Sequence, residues 1–388
     1  MQSTAEDFII LQNKNILMEK LRNILLVQFG DIGDVVLTTP TVCAIRDFYP
    51  EARVSILVHK PFGALLKSDP NIYEVLELAK VKGLDFQVLY EYLKFIRRLR
   101  KTHYDLVIDL RTGDRGAFFS FLTGATHRIG YRADGKKIWH SIAFTKIIRA
   151  LPEWPKSNYP GAEHSLGLLR GIGIDAKTSA PKLYVAQDDR ERVALLLADC
   201  GLEPGARFYT INPFSRWSYK EWDRGKWVEV INSIWDKSSI PAIIVGSSEE
   251  SAAAEGIIAG CKGHAFNLAG KINLGELSAI IAKSTFHLGV DSAAPHIASA
   301  LGTPTVTIHG PSDWRVWRVV NDLNVIIFPP MDCVPCSHRG CDDTEVSQCL
   351  EQLDTDGVTS AVEGLLRKLL GASVSEQLKT KRRSEDIY

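Results

Sequence analysis

Asn23-Ile24-Leu25-Leu26-Val27-Gln28-Phe29-Gly30-Asp31-Ile32-Gly33-Asp34 is the stretch that decides the fold. Ile24 to Val27 is a continuous apolar run of the kind a parallel sheet buries on both faces. Beyond the turn, Val35, Val36, Leu37, Val42 and Ile45 carry a helical pattern, with Pro40 awkwardly placed in its first turns. Strand, Gly-containing turn and helix open a doubly wound α/β sheet, whose ligands bind beyond the carboxyl ends of its strands. Gly30 and Gly33 let the backbone turn sharply and leave no Cβ in the way of a ligand. Asp34 stands at a helix start, where free N–H groups and the helix dipole favour negative charge. It reads either as a helix cap or as a carboxylate aimed into the ligand crevice. A dinucleotide fingerprint needs G-x-G-x-x-G, whereas this turn reads G-D-I-G-D, so a dehydrogenase is disfavoured.

Outward from this turn, apolar runs alternate with helical patterns. Val54–Val58 and Leu106–Leu110 read as strands, Phe86–Arg100 as a helix with a basic end, and Gly116–Leu122 as a short apolar helix. Pro152, Trp154, Pro155, Tyr159 and Pro160 break the pattern, and helices over His164–Arg170 and Asp188–Asp199 follow. The alternation then resumes. Strands are expected at Phe208–Ile211, Ala242–Val245, Phe266–Leu268, Phe286–Gly289 and Thr305–His309. Helices are expected at Trp222–Trp235, Ser251–Ala259, Leu274–Ala282 and Ala294–Leu301. The fold class is therefore α/β, with two doubly wound domains. The expected division is an N-terminal extension over 1–20, a first domain over 21–180, a second over 181–355 that includes a Cys-rich loop at 331–350, and a C-terminal helix with charged tail over 356–388.

At 388 residues and 45 % hydrophobic composition the chain has material for two buried cores. Lys plus Arg balances Asp plus Glu at 46 each, so no global field favours nucleic acid. No apolar run is long enough to span a bilayer, and Glu6 and Asp7 stand where a signal peptide would carry lysines, which points to a cytosolic protein.

The second half carries a candidate anion site. Gly289-Val290-Asp291-Ser292-Ala293-Ala294-Pro295-His296 joins a strand to a helix N-terminus, with small residues where a phosphate would lie. Ser215, Arg216 and Lys220 follow the domain's first strand, Glu249 and Glu250 its second, and Thr307 to Pro311 the last. Backbone donors and Lys220 or Arg216 suit a diphosphate, and Glu249 or Glu250 suits ribose hydroxyls. Taken singly, Asp291 reads equally as a cap, His296 as a core histidine and Lys220 as a solvated charge. Cys333, Cys336, Cys341 and Cys349 crowd one loop. In a cytosolic protein they read as a structural four-thiolate zinc or iron site, or as free thiols.

Together these motifs resemble those of glycosyltransferase family 9, the lipopolysaccharide heptosyltransferases. G-D-I-G-D-V-V-L-T-T-P, Asp105–Arg111 followed by Arg128-Ile129-Gly130-Tyr131, and Gly289–His296 followed by Gly302-Thr303-Pro304 and Gly310-Pro311 stand in the family's order from Ile24 to about Leu369. Ser292-Ala293-Ala294-Pro295 departs from the family's usual Thr or Ser, Gly and Leu before the histidine. The Cys-rich loop and the length are most similar to the heptosyltransferase III branch. The resemblance implies a GT-B fold, two facing Rossmann-like domains with a deep interdomain cleft. It implies inverting transfer of L-glycero-D-manno-heptose from ADP-heptose to the lipid A-core oligosaccharide, without a catalytic metal or other required cofactor. Asp34 becomes the base, with Asp31 the second candidate. Ser215, Lys220, Glu249, Asp291, Ser292, Ala293 and His296 would hold the donor, and Asp31, Lys60, Arg111 and Arg128 the anionic acceptor. Arg115, Arg132, Lys136 and Lys137 are further basic candidates on the first domain. A lipid-borne acceptor implies work at the cytoplasmic face of the inner membrane, held peripherally. A GT-B transferase using another nucleotide sugar, or a non-catalytic nucleotide-sugar-binding protein, would fit the same loops.

Overall fold

The computed structural model describes residues 20–79, 86–131, 140, 142–149, 160–317 and 322–371. The N-terminal extension up to residue 19, the Pro- and Trp-containing loop up to residue 159 and the charged tail fall outside them, as do Arg132, Lys136 and Lys137. The chain divides into two compact units that adjoin in sequence at Tyr184 and Val185.

In the first unit, β1 (Asn23–Gln28), β2 (Arg53–His59), β3 (Glu74–Leu78), β4 (Leu106–Asp109), β5 (His127–Tyr131) and β6 (Lys146–Ile148) form one sheet. Its order is β3-β2-β1-β4-β5-β6, and every neighbouring pair is parallel. The connecting helices are α1 (Ile32–Leu37), α2 (Thr39–Phe48), α3 (Phe86–Lys101), α4 (Asp114–Thr123) and α5 (Pro160–Arg170). Ile24 to Val27 are fully buried, as a strand covered on both faces requires. The strand order reverses between β1 and β4, which makes the edge beyond those two strands the topological switch point.

The second unit repeats the plan with β7 (Tyr209–Asn212), β8 (Ala242–Ile244), β9 (Ala265–Asn267), β10 (His287–Val290), β11 (Thr305–Ile308) and β12 (Asn324–Ile327). The order is β12-β11-β10-β7-β8-β9, again all parallel, with the switch point between β7 and β10. Its helices are α6 (Gln187–Asp199), α7 (Arg224–Ser238), α8 (Ser251–Ala259), α9 (Leu274–Lys283), α10 (Ala293–Ala300), α11 (Trp314–Trp317), α12 (Gln348–Gln352) and α13 (Thr355–Leu370). Tyr209, Trp227 and Phe286 are fully buried, and α13 adds Val358, Val362, Leu365 and Leu366 to the same core.

The structure departs from the sequence reading in one helix and four strands. The helix after the first turn is two helices, α1 and α2, because Pro40 has no N–H to offer the carbonyl of Val36. The Thr39 hydroxyl donates to that carbonyl instead, at 2.9 Å. Three edge strands, β3, β6 and β12, and the interior strand β5 were not expected as strands. The edge strands are only partly covered, so their sequences lack the continuous apolar run that marks the buried centre.

Candidate active site

The first site grows out of the end of β1. Gln28 is buried there, donates to Thr38 Oγ1 at 2.6 Å and accepts from the Gly30 N–H at 3.0 Å, which pins the turn to α2. Asp31 is the N-cap of α1 and Asp34 its third residue. Asp34 Oδ2 accepts the Asp31 N–H at 2.9 Å, so Asp34 does close the helix start, as the capping reading expects. Its other oxygen is engaged elsewhere. Arg111, just beyond β4, donates from Nη1 to Asp34 Oδ1 at 2.8 Å. The Asp34 side chain keeps 17 % of its surface exposed, so it is held but reachable. Gly30 is needed for this: a Cβ there would stand 2.4 Å from Asp34 Oδ2.

Two neighbours complete the electrostatics. His164 on α5 lies close to both Arg111 and Asp34 and hydrogen bonds to the backbone of Leu110. Burial and the Arg111 charge lower its basicity more than Asp34 raises it, which favours the neutral imidazole. Asp109, fully buried at the end of β4, accepts the Arg111 N–H at 3.2 Å, and burial pushes its carboxyl well above the usual range. Lys60 follows β2 at the same edge and is exposed, with no ion pair among the described residues. Arg115 is exposed in the first turn of α4.

Arg128 is not brought to this edge. It pairs in register with Val107 near the amino end of the sheet. Its guanidinium donates to the carbonyls of Ala143 at 2.8 Å and Ala125 at 2.6 Å, so it staples two connections and corrects the expectation of an acceptor contact.

In the second unit, a short 3-10 turn over Ser218–Lys220 after β7 delivers Lys220 to the end of β10. Lys220 Nζ donates to Asp291 Oδ2 at 2.7 Å, and Ser312 Oγ donates to the same oxygen at 2.5 Å. Burial alone would raise the Asp291 carboxyl. The opposing charges of His309 and Lys220, with the two hydrogen bonds, outweigh it and hold the group below the usual carboxylate range. For His309 itself, burial dominates and lowers its basicity. Ser292 is the N-cap of α10 and Ala293 its first residue. Ser292 Oγ is buried with no hydrogen-bond partner. A small cleft collects Asp291, Ser292, His296, Thr307, His309 and Asn324.

Ser215 and Glu249 are held within their own loops. The Ser215 N–H donates to Glu221 Oε1 at 3.0 Å, and Ser215 Oγ accepts from the Trp217 N–H at 3.3 Å. Glu249 is exposed after β8, and its own backbone N–H with the hydroxyls of Ser247 and Ser248 keeps its carboxyl below the usual range. His164, His309 and Ser312 were assigned no role from sequence. Only the fold brings them beside the two carboxylates.

The four clustered cysteines differ in burial. Cys333 is exposed, Cys336 and Cys341 are half-buried, and Cys349 is buried on α12. Burial, with the neighbouring thiols adding to it, pushes the Cys349 thiol up to about 11. Among the described residues no group of three or more His, Cys, Asp or Glu side chains stands placed to hold a metal ion.

Each unit thus sets one carboxylate–cation pair at its switch point, Asp34–Arg111 in the first and Lys220–Asp291 in the second. Comparison with known proteins bears on the family and the fold. The family model described as "Glycosyltransferase family 9 (heptosyltransferase)" matches residues 92–346. Lipopolysaccharide heptosyltransferase 3 of Escherichia coli K12 is 28 % identical over 302 residues, covering 76 % of this chain and 84 % of its own. The glycosyl transferase family 9 structure from Veillonella parvula superposes with a TM-score of 0.76 at 18 % identity, over 90 % of this chain and 100 % of its own. The E. coli ADP-heptose lipopolysaccharide heptosyltransferase II structure does so with a TM-score of 0.74 at 19 % identity, over 90 % and 100 %. The fold is that of a GT-B glycosyltransferase, built of two doubly wound α/β units. The chain belongs to glycosyltransferase family 9 (heptosyltransferase).

Proposed function

We propose that this glycosyltransferase transfers L-glycero-D-manno-heptose from ADP-heptose to the inner core of lipopolysaccharide, with inversion and with no metal or other cofactor in the chemistry. The relatives named for heptosyltransferase activity support the donor and acceptor classes. The observation that carries the mechanism is the reachable Asp34 carboxylate, tied by Arg111 at the first unit's switch point. Each of its oxygens accepts one hydrogen bond and retains a second lone pair, so Asp34 can take a proton from an acceptor hydroxyl without losing its orientation. The hydroxyl oxygen attacks the anomeric carbon, the bond to the diphosphate breaks, and ADP departs from the opposite face.

The leaving diphosphate needs fixed positive potential. Lys220 uses one of its three N–H groups on Asp291, and the others are free for phosphate oxygens. The N-terminus of α10 and the unpartnered Ser292 hydroxyl add donors beside it. Arg111 and Lys60 are the cations suited to an anionic acceptor at the Asp34 edge. Such an acceptor is carried by lipid, and we place the enzyme peripherally at the cytoplasmic face of the inner membrane.

The test is transfer from ADP-heptose to heptose-containing core acceptor by wild type and Asp34→Asn, with EDTA throughout and donor binding measured in parallel. Asp34→Asn is expected to lower kcat by about 10²–10⁴-fold with donor affinity unchanged. Wild-type transfer that EDTA abolishes would overturn the metal-independent mechanism, and absence of donor binding would overturn the ADP-heptose assignment.

A further inference from the structure

The apolar arc of helix α3 is wider than the fold buries. Leu99 is fully buried and Tyr92, Phe95 and Ile96 pack against the first unit's core, which fixes the inner face. At 100° per residue, Phe86, Leu89, Tyr90 and Leu93 form an adjoining stripe centred about 120° round the helix from that face. They are 87 %, 47 %, 55 % and 46 % exposed. A stripe of four large exposed apolar side chains on one helix is unusual for a surface that meets only water. On the next helix, α4, Phe118 and Phe121 are exposed as well, and α3 and α4 pack together.

The charges along the same outer face have one sign. Lys94, Arg97, Arg100 and Lys101 are exposed on its C-terminal half and form no ion pair among the described residues, while Arg98 is tied back to Glu74. Glu91 is the helix's sole carboxylate, and it falls on the flank away from the stripe. Exposed aromatic and aliphatic side chains beside unpaired cations match the inside of an anionic lipid interface. Position adds to chemistry. β3 ends at Leu78 on the sheet's carboxyl edge and α3 begins at Phe86, so the apolar half of the helix lies toward the edge that holds Asp34. A lipid-borne sugar would then be presented beside the carboxylate.

We propose that the outer face of α3 docks on an anionic phospholipid bilayer, with Phe86, Leu89, Tyr90 and Leu93 entering the headgroup region and Lys94, Arg97, Arg100 and Lys101 contacting its phosphates. This deepens the proposed function and rests on its lipid-borne acceptor. No helix among the described residues is long and apolar enough to cross a membrane, so the contact is with the surface.

The test uses the full chain and vesicles of phosphatidylcholine with or without phosphatidylglycerol. Wild type is expected to co-sediment with the phosphatidylglycerol vesicles and to be released by salt. Phe86→Ser/Leu89→Ser/Leu93→Ser and, separately, Arg97→Gln/Arg100→Gln are each expected to weaken this binding by about tenfold or more. Both variants should keep wild-type transfer to a delipidated, water-soluble core oligosaccharide, which also shows that they are folded. Loss of transfer to that soluble acceptor by wild type, with vesicle binding intact, would sink the functional reading and leave this surface standing. Wild type that stays in the supernatant at low salt, or variants that bind as well as wild type, would overturn the proposal. So would a wild-type dimer that the triple Ser variant dissociates, because a second copy would then cover the face.

Discussion

Asp34 is held at both oxygens before any substrate arrives, by Arg111 on one side and the Asp31 N–H on the other. Such a group loses little freedom on reaction, but it depends on the space beside it. Gly30→Ala tests that dependence. Its Cβ would meet the Asp34 Cβ at 2.6 Å as well as the carboxylate, so the start of α1 has to move rather than the tip of one side chain. A displacement of about 1 Å at a reacting group costs on the order of 100-fold. Gly30→Ala is therefore expected to lower kcat about that much while ADP binding stays at the wild-type level. Equal losses in both would show a folding defect and not a misplaced base. At this scale the sequence disclosed the carboxylates and hid their partners. Asp34 and Asp291 each sit in a short motif, while Arg111 lies 77 residues from Asp34 and Lys220 lies 71 from Asp291. Pairing across such distances is set by strand order, which no local pattern encodes. Arg128 failed for the converse reason, since a basic residue in a family motif looks the same whether it faces substrate or caps two carbonyls.

The central strands were legible because burial on both faces leaves an uninterrupted apolar run, as in Ile24–Val27. Lys146–Ile148 and Asn324–Ile327, at the sheet edges, carry too little of that signal. His287 marks a different feature of a central strand, a titratable group fully buried at the start of β10 against Thr210 Oγ1 at 3.0 Å. Burial lowers its pKa from the usual 6.5 to about 3. The depressed value means that the unfolded chain takes up a proton that the folded one refuses. Its contribution to stability is full above pH 6.5 and is lost as the pH falls toward 3, with a limiting slope of about 1.4 kcal/mol per pH unit. Urea unfolding of wild type followed between pH 7 and 5 should show this loss, and His287→Asn should flatten it. Parallel pH curves for the two proteins would mean that another group carries the acid sensitivity.

Across the whole molecule, the same doubly wound plan is used twice, and each copy surrounds its switch-point carboxylate differently. The first unit leaves its carboxylate reachable and ties it to a half-exposed arginine, an arrangement suited to moving a proton. The second buries its carboxylate against Lys220, Ser312 and His309, an arrangement suited to fixing a cation where phosphate arrives. Because each sheet has its own core, binding at one switch point should stabilise chiefly the unit that contains it. ADP alone, which lacks the transferred sugar, is the probe. At about 100 times its Kd it should add about 2.7 kcal/mol to the stability of the unit it contacts. Hydrogen exchange resolved by peptide is expected to show that gain over β7–β12 and little change over β1–β6. Lys220→Met should remove it, whereas Asp34→Asn should leave it in place. Equal protection of both units would contradict a donor held by the second alone. Protection confined to the first would reverse the assignment of donor and acceptor ends.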